Sequence, residues 1–113
     1  MGAPARGEVV LVNFPFTDLS GRKLRPAVVL AAGDYHNDII LCQITSQAYG
    51  DREAVSIDPV NDFDQGTLAK PSFARPRKLF TANERLVSRV IGTLKTARLE
   101  AIAQAVTSAI AGR

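Results

Sequence analysis

The sequence predicts a mainly β (α+β) fold, a small antiparallel β-barrel of five to seven short strands closed by a C-terminal α-helix. Three observations predict it. Short β-branched and apolar runs recur between turns marked by proline, glycine and aspartate. The tail then switches to helical spacing. The 113 residues, 46% of them apolar, supply one core and no room for a second catalytic domain.

Glu8 to Phe14 is β-branched and apolar, so it reads as the first strand, and Pro15 stops it. Thr17 to Lys23 is a polar loop. Pro26 to Ala32 is the second strand, with proline at its start, where a missing N–H is tolerated. Gly33 to Asp38 reverses the chain into a third strand, Ile39 to Ile44. Both of these strands are nearly continuous apolar runs, the pattern of central strands buried on two faces. A short strand is expected at Ala54–Ile57, followed by a polar, turn-rich stretch from Asp58 to Lys70. Ser72–Arg75 and Lys78–Thr81 read as two strand pieces broken by Pro76, which argues for an edge or a bulge. Val87 to Leu94 is the last strand, with Gly92 marking a bend. Leu99, Ile102, Ala103, Val106 and Ile110 share one helical face over 96–111, with Thr96 as N-cap and Gly112 as stop. The whole of 1–113 is one domain, with 1–6 expected as a flexible N-terminal tail.

Composition excludes several function classes. A single cysteine, Cys42, rules out an internal disulfide framework and a cysteine-based zinc site. No apolar run reaches the roughly 18 residues of a membrane span, and the first residues lack the layout of a signal peptide. The expected location is the cytoplasm. No Gly-x-Gly-x-x-Gly or Gly-Lys-Ser phosphate loop is present. Asp58, Asp62 and Asp64 lack calcium-loop spacing and read as a surface loop. His36 stands alone in a predicted turn, and Cys42 reads as a small buried hydrophobe. No cofactor and no metal is expected.

Charge is unevenly placed. Residues 1–70 carry six Lys and Arg against nine Asp and Glu, a net −3. Residues 71–113 carry eight against two, a net +6. The basic rear is either a solvated face or a wall for an anionic partner, of which nucleic acid is the commonest. Phe73 and Phe80 lie within it, and are either core or stacking residues.

Arg25 stands apart from that set. Pro26 holds it extended, which fixes where its side chain starts. If the second and third strands form a hairpin, Arg25 at the start of one lies beside Thr45 and Ser46 at the end of the other. A guanidinium beside two hydroxyls is either a phosphate clamp or a structural rim contact.

Gly7-Glu8-Val9-Val10-Leu11-Val12-Asn13-Phe14-Pro15-Phe16-Thr17-Asp18, with Arg25-Pro26-Ala27-Val28-Val29-Leu30 following, resembles the start of the MazF/PemK toxin family of type II toxin–antitoxin systems. Ile44-Thr45-Ser46, Lys70 to Arg75, Lys78 to Thr81 and Ile91 to Leu94 resemble its later motifs, in the same order. The resemblance spans nearly the whole chain. It implies an SH3-like barrel with a C-terminal helix, a homodimer, and a small antitoxin partner whose tail occupies the RNA groove. It further implies metal-independent, sequence-selective cleavage of single-stranded RNA by attack of the 2′-hydroxyl on the adjacent phosphorus. Carried over by residue, it makes Arg25 and Thr45 the catalytic pair. Ser46, Arg75, Arg77 and Lys78 are then substrate contacts. Arg77 departs from the pattern, because several members carry an acid there, so an acid-assisted mechanism lacks its acid at that position. A barrel that binds RNA or a protein without cutting stays open, as does a gyrase poison, since a related toxin family shares the barrel.

Overall fold

A computed structural model of the chain describes residues 3–13, 24–33 and 37–113. Strands β1 (Glu8–Asn13), β2 (Leu24–Ala31), β3 (Asp38–Thr45), β4 (Val55–Ile57), β5 (Phe63–Gly66), β6 (Ser72–Asn83) and β7 (Val87–Leu94) form one sheet. Their order is β4-β6-β3-β2-β1-β7-β5, and every pairing is antiparallel. The sheet makes a half-barrel, and helix α1 (Thr96–Ala111) packs chiefly on β6 and β4.

The continuous apolar runs are buried on both faces, as their pattern predicts. Val9, Val28 and Cys42 are cross-strand neighbours on β1, β2 and β3. They share a cluster with Ile44, Ile57, Phe63 and the helix residues Leu99, Ile102 and Val106. The alternate positions Val10, Val12, Ala27, Val29 and Leu41 form a second cluster on the opposite side, with Phe80 and Val87 against it. Alternation thus gives each central strand two apolar faces. Fully burying one side chain such as Ile102 contributes about 1.5–3 kcal/mol.

Several boundaries differ from the sequence reading. β2 begins at Leu24, so Pro26 lies inside it, opposite Leu11. The expected loop over 58–70 contains β5, because Phe63 is buried against β7. The two strand pieces around Pro76 are one strand, and Pro76 falls in a break of the β3–β6 register between Ala74 and Leu79. That bulge is where a strand tolerates a residue without an N–H. Thr96 is the first helical residue and not the N-cap, which is Lys95 without a side-chain cap. Ile110, in the last turn of the helix, is exposed rather than on the buried face. Residues 3–6 are held against the body: Pro4 is buried, and Arg6 lies 3.7 Å from Glu100. Phe14, the loop 17–23 and His36 lie outside the described residues.

Gly92 is required by close approach. It is buried opposite Val9, and a Cβ there would stand 2.8 Å from both the Phe63 ring and the Gln65 carbonyl. Gly92→Ala is expected to destabilise the protein by about 1–3 kcal/mol through overpacking. Urea denaturation checks this, and an unchanged midpoint would refute it.

Candidate functional site

The β2–β3 register fixes the site. Ala27 faces Gln43 and Val28 faces Cys42, so continuing that pairing sets Arg25 beside Thr45. Both residues, with Ser46, line a groove of about 440 Å³, within the ordinary range for ligand clefts, about 300–1,000 Å³. Pro26, Leu11 and Arg89 form a cross-strand row over β2, β1 and β7, and all three line the groove. Thr67, Leu68, Ala69, Lys70 and Ser72, between β5 and the start of β6, line it as well. Adjacent residues of both β2 and β3 take part, so the groove wraps over the strand ends.

The electrostatics are one-signed. Arg25, Lys70 and Arg89 line the groove, and no acidic residue does so among those described. None of the three cations has a hydrogen bond or ion pair among the described residues. Their positive potential is therefore directed at whatever enters. The Thr45 hydroxyl accepts a hydrogen bond from the Gln47 N–H at 3.1 Å. That leaves its own proton to donate into the groove. The Ser72 and Thr67 hydroxyls instead donate to the backbone carbonyls of Lys70 and Pro59.

The basic residues of β6 sit elsewhere. Arg75 Nε is 3.1 Å from Asp51 Oδ2, and its guanidinium lies 5.5 Å from the centre of the Tyr49 ring. Arg77 Nε is 2.6 Å from Glu53 Oε1, and this pair holds the guanidinium above its usual range. Neither lines the groove; Lys78 is exposed on the same strand and does not line it either. Lys70, given no role from sequence, and Arg89, which the sequence offers only as one charge of the basic rear, line it instead. The signal that finds Arg89 is the β1–β7 pairing, which no local pattern carries. Phe80 packs on the second apolar cluster, and Phe73 is half-buried in β6 between Thr45 and Ser56.

Other sequence candidates have structural roles. The buried Cys42 thiol lies 3.1 Å from the Arg75 carbonyl, and burial pushes its pKa up to about 12, although the Arg75 backbone lowers it. A thiol so raised is no nucleophile near neutral pH. Asp58 accepts from the Asn61 and Val60 N–H groups, which hold its carboxyl below the usual range. Asp62 accepts from the Asp58 N–H and faces Arg98 of α1 at 3.4 Å. These acids order a turn and anchor the helix start. Among the described residues no group of three or more His, Cys, Asp or Glu is placed to hold a metal ion. No described helix is long and apolar enough to cross a membrane.

A family model described as PemK-like, MazF-like toxin of type II toxin–antitoxin system matches residues 5–110. Among solved structures, the chain is similar to a MazE-MazF complex (Form-II) from Deinococcus radiodurans, with a TM-score of 0.77, 19% identity and 100% of each chain covered. It is also similar to an endoribonuclease in complex with its cognate antitoxin from a mycobacterial species. There the TM-score is 0.73 at 17% identity, covering 98% of this chain and 96% of that one. The Mycobacterium tuberculosis toxin MazF-mt6 gives a TM-score of 0.71 at 21% identity, covering 92% of this chain and 96% of that one. No curated protein sequence matches the chain. At these identities the structural likeness carries the fold.

The acid at Asp51 has a pH signature. Burial raises its carboxyl, but the Arg75 hydrogen bond, the Glu53 N–H and the Arg75 and Arg77 charges outweigh burial and lower it below 3.8. A depressed carboxyl stabilises the fold above its unfolded value and loses that effect as pH falls through its folded value. Asp51→Asn is therefore expected to be less stable than the parent at neutral pH, the gap closing as pH drops below about 4. Thermal denaturation across pH 2–7 checks this; a gap independent of pH would contradict it.

Proposed function

The chain belongs to the family of PemK-like, MazF-like toxins of type II toxin–antitoxin systems, and on that premise we propose that it is a metal-independent endoribonuclease cleaving single-stranded mRNA sequence-selectively. The observation that carries the reading is the meeting of Arg25 and Thr45 in a groove lined by three cations and no acid among the described residues. Such a groove suits a polyanion, and its apolar floor from Leu11, Pro26, Ile44 and Ile91 suits bases or sugars.

RNA needs little from the protein, because it carries its own nucleophile. The 2′-oxygen bonds to the adjacent phosphorus, the bond from phosphorus to the 5′-oxygen breaks, and a 2′,3′-cyclic phosphate and a 5′-hydroxyl result. Negative charge builds on the phosphoryl oxygens during this exchange. Arg25 holds them with charged N–H donors, and Thr45 adds its free hydroxyl proton. A charged guanidinium donates and has no lone pair to accept a proton, so water takes the 2′-proton and returns one to the leaving oxygen. Lys70 and Arg89 hold the flanking phosphates, and Ser46 borders the clamp. Arg75, Arg77 and Lys78 contact substrate outside the groove, two of them already neutralised by Asp51 and Glu53. A homodimer belongs to the same proposal, as does a small antitoxin whose tail would occupy the groove.

The test is incubation of pure protein with single-stranded RNA in EDTA. Discrete cuts ending in cyclic phosphate are expected. Arg25→Ala is expected to abolish them with the circular dichroism spectrum unchanged. Thr45→Val is expected to slow them about 10²–10³-fold, the usual loss on removing one such donor. Full activity in Arg25→Ala would sink the assignment, and intact RNA with the parent protein would sink the ribonuclease reading.

A further inference from the structure

The loop after the groove contains a residue in the wrong conformation for its type. The Asp51 N–H donates to the Ala48 carbonyl at 2.9 Å, closing a four-residue turn. Both central residues have positive φ, Tyr49 at 54° and Gly50 at 72°. That is the signature of a type I′ turn, whose central positions favour glycine, asparagine or aspartate. A bulky aromatic there is strained. Yet the tyrosine is not placed to fill a core, because it is 72% exposed.

The turn sets the tyrosine ring against a cation. Arg75 lies behind it, 5.5 Å from the ring centre. Arg75 is itself held by Asp51 from the far side of the same turn, at 3.1 Å. The Asp51 carboxylate also accepts from the Glu53 N–H at 2.9 Å, so the base of the turn is fixed twice. The ring is thus backed by a cation on one side and open to solvent elsewhere. Tyr49 is three residues beyond Ser46, so its Cα lies within about 11 Å of the groove wall.

We propose that Tyr49, backed by Arg75, is a stacking platform for an unpaired base next to the phosphate held at Arg25 and Thr45, an inference that rests on the ribonuclease reading. Aromatic faces bind any unpaired base, and a pre-positioned ring has less freedom left to lose. The guanidinium contributes through the ring by cation–π attraction and keeps positive charge beside the strand. A base-paired strand would not present the face that the ring needs, so the platform selects single-stranded RNA.

The experiment uses the full chain and a single-stranded oligonucleotide methylated at every 2′-oxygen, which binds but cannot be cut. Y49N is expected to bind about 5- to 150-fold more weakly. The same variant is expected to melt at a higher temperature, because asparagine suits the turn. A merely structural tyrosine would move both readouts together, downward. Y49W is expected to keep affinity within a few-fold. As the chain's only tryptophan it should be quenched by the oligonucleotide but not by the corresponding duplex. Unchanged affinity in Y49N, or no quenching in Y49W, overturns the platform. If Arg25→Ala loses cleavage while Y49N binds normally, the platform alone falls. If the parent neither binds nor cuts single-stranded RNA, the ribonuclease reading falls and the platform with it.

Discussion

The register between β2 and β3 is the constraint from which the rest follows. Val28 opposite Cys42 puts both into the cluster under the helix, while Val29 opposite Leu41 puts that pair on the other side. A slip of one residue would exchange the faces and drive both sets into the wrong environment. Because both faces are apolar and differently filled, the sheet cannot relax into that slip at small cost. The same register places the start of β2 at the end of β3. The Arg25–Thr45 juxtaposition is therefore a by-product of core packing, not a separate feature of a flexible loop.

This explains what the sequence made legible. The Arg25–Thr45 pair was readable because it needs only two adjacent apolar strands and the turn between them. The helix was readable from Leu99, Ile102 and Val106, all buried at 3.6-residue spacing. Phe63 was not readable as a strand residue, because its neighbours are polar and its burial comes from the Gly92 surface of a strand some thirty residues later. Arg89 was equally hidden. Its place opposite Leu11 depends on a pairing between the first and last strands, which no window of sequence contains. Thr96 failed as a cap because it is already the first helical residue; Lys95 takes the cap position, and its N–H donates to the Asp62 carbonyl.

The charge split was informative in sign and misleading in place. The basic rear suggested a groove wall at Arg75 and Arg77, but those two face Asp51 and Glu53 from the acidic front. The groove instead draws one cation from each of three distant segments: Arg25, Lys70 and Arg89. Net charge over a segment counts residues, whereas potential at a site depends on which charges lack a partner. Arg77 shows the difference: Glu53 answers its charge across the surface, so its presence in the basic rear adds little free positive potential.

The loop carrying Tyr49 shows how such pairs are used. An exposed ion pair contributes little to stability, about 0–1 kcal/mol, but Arg75 and Asp51 are both mostly buried. A left-handed, non-glycine residue costs about 1–2 kcal/mol. The ring–guanidinium contact contributes about 0.5–1 kcal/mol and the ion pair about 1 kcal/mol, so cost and gain nearly cancel. The turn is consequently held with little net effect on folding, and its conformation can be set by what it presents rather than by stability. A sequence optimised only for folding would place glycine or asparagine at position 49. The tyrosine is best explained by an occupant that the ring meets from outside, and the nearest place for one is the cationic groove that begins at Ser46.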